Sequence, residues 1–570
     1  MFKTEIKKLI KKAVEQEFGL ELEDIELEKP QEENFGDYAT NTALIISKQL
    51  KAKPKDTAIK LEKAIANFHS DLLSKVEMAG PGFINFFLSD KYLIRQLDKI
   101  LREKEKYGSA KIGKGKTIVI DYSSPNIAKS FGIGHLRSTI IGQAIYNIYK
   151  FLGWNCIGNN HLGDWGTQFG KVIYQFKKNK LRPKEVNIED LERLYIDFHK
   201  QAEEKPKMEE EARNWFKKLE KGDKEAKKIW QTCRDLSLKE FEKIYNLLGI
   251  KIDYVLGESF YQKMLKEVID EAVKKKITLK SEGALIVKYP NEELPPAMLL
   301  KSDGATTYLT RDLATIKYRL KRWKPDLIIY EVGVEQKLYF RQLFWLAEIL
   351  GWAKKDNFYH LAHGLIRFKH RKISTRSGRT IRLKEIIEEA VKRAREIIEK
   401  SETTRGLSEK EKERVAKDVG VGAVKYNDLS QHCSKDIIFS WDKILNLKGN
   451  SCPYLQYSYA RCQSVLKKGS FKSFWPNNLL KLNDETNISK EEKNILTTIS
   501  RFPEIVQNSA ETFSPNLICN FAFDLAQKYN VFYGSQPIIK VKDPQIKRFR
   551  LVLTFSTSTS THKPWQSKPF

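Results

Sequence analysis

The sequence predicts a multidomain α/β protein: a parallel-sheet nucleotide-binding domain, preceded by a small α+β module and followed by an all-helical region. Three observations carry this reading. Ile118-Val119-Ile120 is a short β-branched run of the kind buried in a parallel sheet. It feeds a loop and then a helix whose Leu136, Ile140, Ala144, Ile145, Ile148 and Leu152 keep the 3.6 period, with Gly153 at the cap and Cys156-Ile157 opening the next strand. A second such unit runs from Leu327-Ile328-Ile329-Tyr330 through a turn into a helix with Phe340, Leu343, Phe344, Ala347 and Leu350. The third observation is length: 570 residues exceed one core, which sets roughly two to four domains.

In chain order, the first helix places Ile6, Leu9, Ile10, Ala13, Val14 and Phe18 on one face. Glu33 to Ala39 leads into a helix through Ala43 to Leu50, and Val76 to Phe86 supplies a turn and an alternating strand, making a small α+β module. Glycine and lysine crowd together from Lys104 to Lys116, as a linker does. The charged amphipathic helices expected over about 181–261 present mostly solvated faces. Gly283 to Tyr289 is a strand, and Leu299 to Ala314 runs from strand through turn into helix. Phe358 to Ile366 returns as a strand and ends in the basic loop Arg367 to Arg379, before a helix from Leu383 to Lys400.

Composition excludes several classes. A hydrophobic fraction of 41% supports globular cores. The formal charge of +28, from 101 Lys+Arg against 73 Asp+Glu, fits a polyanionic partner, although the lysines are scattered and pick out no single face. Six cysteines form no C-x-x-C pair and no zinc-finger spacing, so they read as reduced thiols and no metal site is expected. No run approaches the ~18 apolar residues of a membrane span, and the acid-containing first helix is no signal peptide, so a cytoplasmic protein without a membrane partner is expected.

The loop from Asp121 to His135 joins a strand to a helix N-terminus, where free N–H groups and the helix dipole favour phosphate. Gly132-Ile133-Gly134-His135 resembles the His-Ile-Gly-His signature of class I aminoacyl-tRNA synthetases, with Gly132 where the family has histidine. The flanks Ser124 to Lys129 and Leu136 to Gly142, and the stretch Asn159 to Gly170, resemble arginyl-tRNA synthetases. The basic loop around Lys372-Ile373-Ser374-Thr375 is similar to the second, lysine-bearing signature, with Ile373 and Thr375 departing from it. The N-terminal module resembles that family's tRNA-elbow domain, and Gly449 to Arg461 its anticodon-binding helices.

The resemblance implies a Rossmann-like catalytic domain and ATP-dependent attachment of L-arginine to tRNA(Arg) through an arginyl-adenylate, with activation dependent on bound tRNA. It places Lys129, His135 and Lys372 in catalysis, and Gly132, Gly134, His135, Lys372 and Ser374 on ATP, with Mg²⁺ on the phosphates. Asn126 and Asn160 would hold the α-amino and carboxylate end of arginine, with Tyr308, Asp312 and Gln336 on its side chain. By position alone Asp312 also reads as a capping acid beside a core tyrosine. Tyr454, Tyr457 and Arg461 would meet tRNA, since tyrosines beside arginine suit unpaired bases; packing the bundle core is their other reading.

The expected domains are 1–112 (tRNA-contacting), 113–410 (catalytic), 411–554 (anticodon-binding) and a disordered tail over 555–570. The tail follows from alternating Ser and Thr before two prolines, which have poor helix propensity and little to bury. A monomer is expected. Two rivals are a catalytically impaired paralogue that binds RNA and a small-molecule adenylyltransferase of the same superfamily.

Overall fold

The computed structural model describes residues 2–30, 32–290, 294–368, 381–400, 406–471 and 488–562. They form two compact units. Ala110–Tyr454 and Ser509–Cys519 make the first. Its sheet contains β1 (Thr117–Asp121), β2 (Asn155–Asn160), β3 (Tyr254–Val255), β4 (Leu327–Gly333) and β5 (Phe358–His363), all parallel, in the order β5-β4-β1-β2-β3. The order reverses between β1 and β4. That is the switch point at which open α/β sheets bind ligands, beyond the strands' C-terminal ends.

Ile118, Val119 and Ile120 are fully buried, each stabilising the fold by roughly 1.5–3 kcal/mol, as the β-branched run predicts. Helix α1 (Gly134–Phe151) packs on β1, β2 and β4, and Gly153 beyond it takes the left-handed φ of 86° expected of a cap glycine. Val119 and Ile328 join a cluster with Leu313 and Ile316 of the helix Tyr308–Trp323 and Leu343 and Leu346 of the helix Lys337–Ile349. Between β2 and β3 the chain inserts helices, among them α2 (Ile188–Glu204) and α3 (Lys224–Leu248); with these named, Tyr308–Trp323 is α4 and Lys337–Ile349 is α5. An antiparallel sheet of Thr278–Ser281, Ala284–Val287 and Ala297–Leu300 precedes α4. The helix α6 (Leu383–Lys400) is as predicted.

Three expectations are corrected. The strand predicted over Phe358 to Ile366 is two: after β5 the chain turns at Gly364, and Ile366–Phe368 pairs in parallel with Ile437–Phe439. A Cβ on Gly364 would lie 2.7 Å from the Lys435 carbonyl carbon, so this approach requires glycine. The helical domain expected from 411 begins later, because α7 (Glu409–Leu429) belongs to the sheet unit. Arg137 of α1 is fully buried and binds Asp428 of α7 at 3.0 Å and the Cys433 and Lys435 carbonyls, a polar tie that hydrophobic periodicity does not reveal.

The third correction is the tail. Helix α8 (Pro544–His562) runs straight through the Ser/Thr stretch, and Ser556, Thr557, Ser558 and Ser560 are buried. Thr557 and Thr561 donate to carbonyls one turn back, at 2.9 and 3.0 Å, which satisfies these two hydroxyls inside a helix and lets packing override propensity. Residues 563–570 lie outside the described residues.

The second unit gathers the chain up to Ser109 with Leu455–Asn508 and the helices from Asn520. The N-terminal module packs in one unit with these C-terminal helices. Its strands Tyr38–Thr40, Phe83–Leu88 and Leu73–Ala79 form one antiparallel sheet, Lys493 pairs with Asp90 at 2.6 Å, and Arg501 donates to the Asp37 carbonyl at 2.6 Å. Among the described residues no helix is long and apolar enough to cross a membrane.

Candidate active site

The loop leaving β1 is held in conformations that L-residues rarely adopt. Ser123, Ser124 and Ala128 have φ of 73°, 44° and 62°, each costing on the order of 1–3 kcal/mol. The insertion stabilises them. The Ser124 N–H donates to Asn160 Oδ1 at 3.1 Å, the Asn160 amide donates to the Tyr245 hydroxyl of α3 at 3.0 Å, and Ser237 of α3 accepts the Ala128 N–H at 2.8 Å. Asn160 is fully buried and braces the loop from beneath through these bonds. Asn126, by contrast, is exposed and bridges in parallel to Gly163.

Helix α1 begins at Gly134, which is exposed and has nothing within 4 Å of where a Cβ would stand. The helix N-terminus is therefore open to a flat, anionic ligand. His135 follows, with its buried Nδ1 lacking a hydrogen-bond partner among the described residues. Burial lowers its pKa to about 4, so the imidazole is neutral near pH 7. Gly132 is buried and forms an antiparallel bridge with Arg382, flanked by Ile133 N–H to Ile381 O and Leu383 N–H to Phe131 O, both 2.9 Å. The Lys129 ammonium sits 4.5 Å over the Tyr195 ring of α2, its pKa lowered by burial and opposed by Glu192. Lys372 and Ser374 lie outside the described residues.

At the other end of the crevice, α4 starts with Tyr308, 61% exposed, and one turn on carries Asp312, whose side chain keeps 25% of its surface open. The Tyr339 hydroxyl of α5 donates to Asp312 Oδ2, and His161 Nε2 lies 3.7 Å from Oδ1. Burial raises the Asp312 pKa. The neighbouring carboxylates already have guanidinium partners. Arg319 holds Asp121, Arg234 lies 3.6 Å from Asp164, and Arg311 lies 2.9 Å from Glu258. Asp312 has no arginine or lysine at ion-pair distance among the described residues, and the capping reading fails because Thr307 holds the N-cap position. Gln336 is exposed at the foot of α5.

Sequence reasoning missed Tyr339 and Glu258. Tyr339 was accessible to it, being three residues beyond Gln336 on the same helix start and hence on a neighbouring face. Glu258 was not, since only the fold brings the short helical turn Glu258–Met264, after β3, beside Arg311 of α4. Its burial pushes the carboxyl up to about 7 despite Arg311.

In the second unit, the Arg461 guanidinium stacks 4.8 Å from the ring of half-exposed Tyr457 and 4.7 Å from that of Tyr533, and binds Asn530 Oδ1 at 2.6 Å. Tyr533 is a further exposed ring that the sequence did not single out. Tyr454, in the same helix as Tyr457, is partly buried.

The family model of the class I (R) tRNA synthetase catalytic domain matches residues 96–441, and the arginyl-tRNA synthetase N-terminal model matches residues 3–88. An arginine–tRNA ligase of Fusobacterium nucleatum is 41% identical over 554 residues, covering 96% of this chain and 95% of that protein. The chain belongs to the arginyl-tRNA synthetase family. A second relative, an arginine–tRNA ligase of Clostridium perfringens, is 39% identical and covers 97% of this chain and 96% of its own. Among solved structures, the arginyl-tRNA synthetase of Plasmodium falciparum superposes with a TM-score of 0.82 at 26% identity, over 99% of this chain and 97% of that one. The DALR anticodon-binding model matches 455–562, so the chain carries that module through the Ser/Thr stretch to the end of α8.

Proposed function

We propose that this protein attaches L-arginine to tRNA(Arg) in two steps. The arginine carboxylate attacks the α-phosphate of ATP, releasing pyrophosphate, and a ribose hydroxyl of the terminal adenosine then takes the arginyl group from the adenylate. The observation that carries this reading is Asp312, a carboxylate with no arginine or lysine at ion-pair distance among the described residues, while its neighbours Asp121, Asp164 and Glu258 each have an arginine. A guanidinium supplies that partner, and the Tyr339 hydroxyl fixes the carboxylate's angle.

Tyr308 and Gln336 flank the side chain at the crevice mouth, and Asn126 meets the amino-acid end. The open start of α1 at Gly134 receives the nucleotide, with neutral His135 as a hydrogen-bonding group beside it. Lys129 and Lys372 neutralise the departing pyrophosphate, and Ser374 binds the nucleotide with them. There is little covalent work for the protein, so rate comes from alignment and preorganised charge. Mg²⁺ is the usual companion of the triphosphate and enters no step here. Tyr454, Tyr457 and Arg461 meet anticodon bases. All six cysteines are free, which suits a cytoplasmic location.

The test is arginine-dependent ATP–pyrophosphate exchange with and without tRNA. Exchange with arginine and not lysine is expected, and it depends on tRNA. Tight tRNA binding without exchange identifies an RNA-binding paralogue, and exchange with a small molecule other than arginine identifies an adenylyltransferase.

A further inference from the structure

Two backbone segments that face the nucleotide crevice are joined to each other. Phe131-Gly132-Ile133, just before α1, pairs in antiparallel fashion with Ile381-Arg382-Leu383, where the chain enters α6. A two-bond ladder is weak by itself, since a pair of net backbone hydrogen bonds contributes only about 1–3 kcal/mol. A side chain from a third element crosses it. Glu192, on α2 of the insertion, accepts the Ser130 hydroxyl at 2.6 Å and Arg382 Nη2 at 3.0 Å through the same oxygen, Oε2. Its side chain is only 14% exposed, which sets it apart from a solvated surface ion pair. One turn on, Tyr195 of the same helix carries the Lys129 ammonium on its ring.

We infer that Glu192 is a positioning residue for amino-acid activation, clamping the Phe131–Ile133 and Ile381–Leu383 segments together so that the nucleotide cradle is assembled before ATP arrives. The inference rests on the proposed function for its kinetic consequence and on geometry alone for the clamp. The Ser130 and Arg382 bonds converge on one oxygen of Glu192, and the only other acid near Arg382 among the described residues, Glu189 of the same helix, stands off at 4.0 Å. The charge matters as well as the shape. A carboxylate bound to both a hydroxyl and a guanidinium makes charge-assisted bonds about twice as strong as neutral ones. Its negative charge pairs with Arg382 and also favours the charged form of Lys129 against the burial that disfavours it. A cradle fixed in advance spares ATP the ordering of two loops, so the clamp acts on ATP affinity and on activation rate and leaves arginine affinity alone.

The experiment compares wild type with Glu192→Ala, Glu192→Gln and the milder Ser130→Ala, which leaves the Glu192–Arg382 pair in place. The first readout is amide hydrogen exchange at Ile133 and Leu383, the two ladder donors. Glu192→Ala is expected to accelerate both at least tenfold while amides of β1 and β4 keep their wild-type protection, with Ser130→Ala intermediate. The second is ATP–pyrophosphate exchange. There Glu192→Ala should raise KM for ATP and lower kcat, each about tenfold, with KM for arginine unchanged, and Glu192→Gln should recover part of the loss. Unchanged exchange at Ile133 and Leu383 overturns the clamp whether or not the enzyme is active. Loss of protection throughout the sheet overturns it too, by showing a structural residue. Absence of wild-type activity with arginine instead overturns the proposed function, and the exchange readout still decides the clamp.

Discussion

Asn126 and Gly163 share a parallel bridge so close that a Cβ on Gly163 would stand 1.9 Å from Asn126 Oδ1. Gly163 is therefore glycine for space and not for backbone freedom. Gly163→Ala must push Asn126 from the crevice, and overpacking of this kind costs about 1–3 kcal/mol. Steady-state kinetics should show kcat/KM for arginine falling by roughly ten- to a hundredfold, with ATP affinity nearly kept. An unchanged kcat/KM would remove Asn126 from the amino-acid site.

Asp312 gives the sharpest substitution. Asp312→Ala should lose roughly 3 kcal/mol or more in kcat/KM for arginine, because a desolvated cation is left without its partner. Burial raises the Asp312 pKa, so its charge is lost on acidification sooner than that of an ordinary carboxylate. KM for arginine should accordingly climb as pH falls, starting above the usual carboxylate range, and Asp312→Asn should flatten that climb. Kinetics at several pH values check both.

Glu258 makes a stability prediction with a definite sign. Burial holds its pKa at about 7 in the folded protein against an ordinary 4.5. Between those values the native state binds more protons than the unfolded one, so its contribution to stability is present at the acid end and lost as pH rises through about 7. Glu258→Gln lacks that loss. Its melting temperature relative to wild type should rise steadily from pH 4.5 to about 7 and level off beyond. A difference independent of pH would contradict the assignment.

Gly132 takes no left-handed φ among the described residues, so its backbone accepts a side chain. A donor at such a position in the transition state is typically worth about 10²- to 10³-fold. Gly132→His should raise the activation rate at least several-fold in ATP–pyrophosphate exchange. A fall would mean that the bridge to Arg382 requires glycine.

The Ser/Thr stretch of α8 yields an opposite expectation to that of its composition. Deleting everything after Thr554 removes buried Ser556, Thr557, Ser558 and Ser560 and should lower the melting temperature by several degrees, with weaker tRNA binding. A melt identical to wild type would show that this last stretch of the helix does no packing.

Much of this was legible from residues. The run Ile118 to Ile120, the period from Leu136 to Leu152 and Gly153 predicted β1, α1 and the cap, because burial in a parallel sheet and helical period leave direct marks. Asp312 and Gln336 came from the resemblance to the family's pocket, since position alone made Asp312 a capping acid. The bracing role of Asn160 was not legible, because its partners Ser124 and Tyr245 come together only in the fold. Tyr339, Glu258 and Glu192 escaped notice since their importance lies in partners distant in sequence. Thr557 and Thr561 misled because propensity is a local quantity, and their hydroxyls are satisfied only once the helix exists.

The pairing of the N-terminal module with helices beyond Leu455 has a temporal consequence. Tyr38 donates to Glu504 at 3.2 Å, and Arg501 reaches back to Asp37, so the surface made first is completed by one made nearly last. At roughly 5–20 residues per second the ribosome takes tens of seconds to traverse the chain between them. Throughout that interval the nascent module exposes the face later covered by Lys493, Arg501 and Glu504, while the sheet unit, nearly contiguous from Ala110 to Tyr454, can mature on its own. The order of synthesis thus makes the module's unpaired face the species for chaperones to guard, and ties its yield to how fast the final helices emerge.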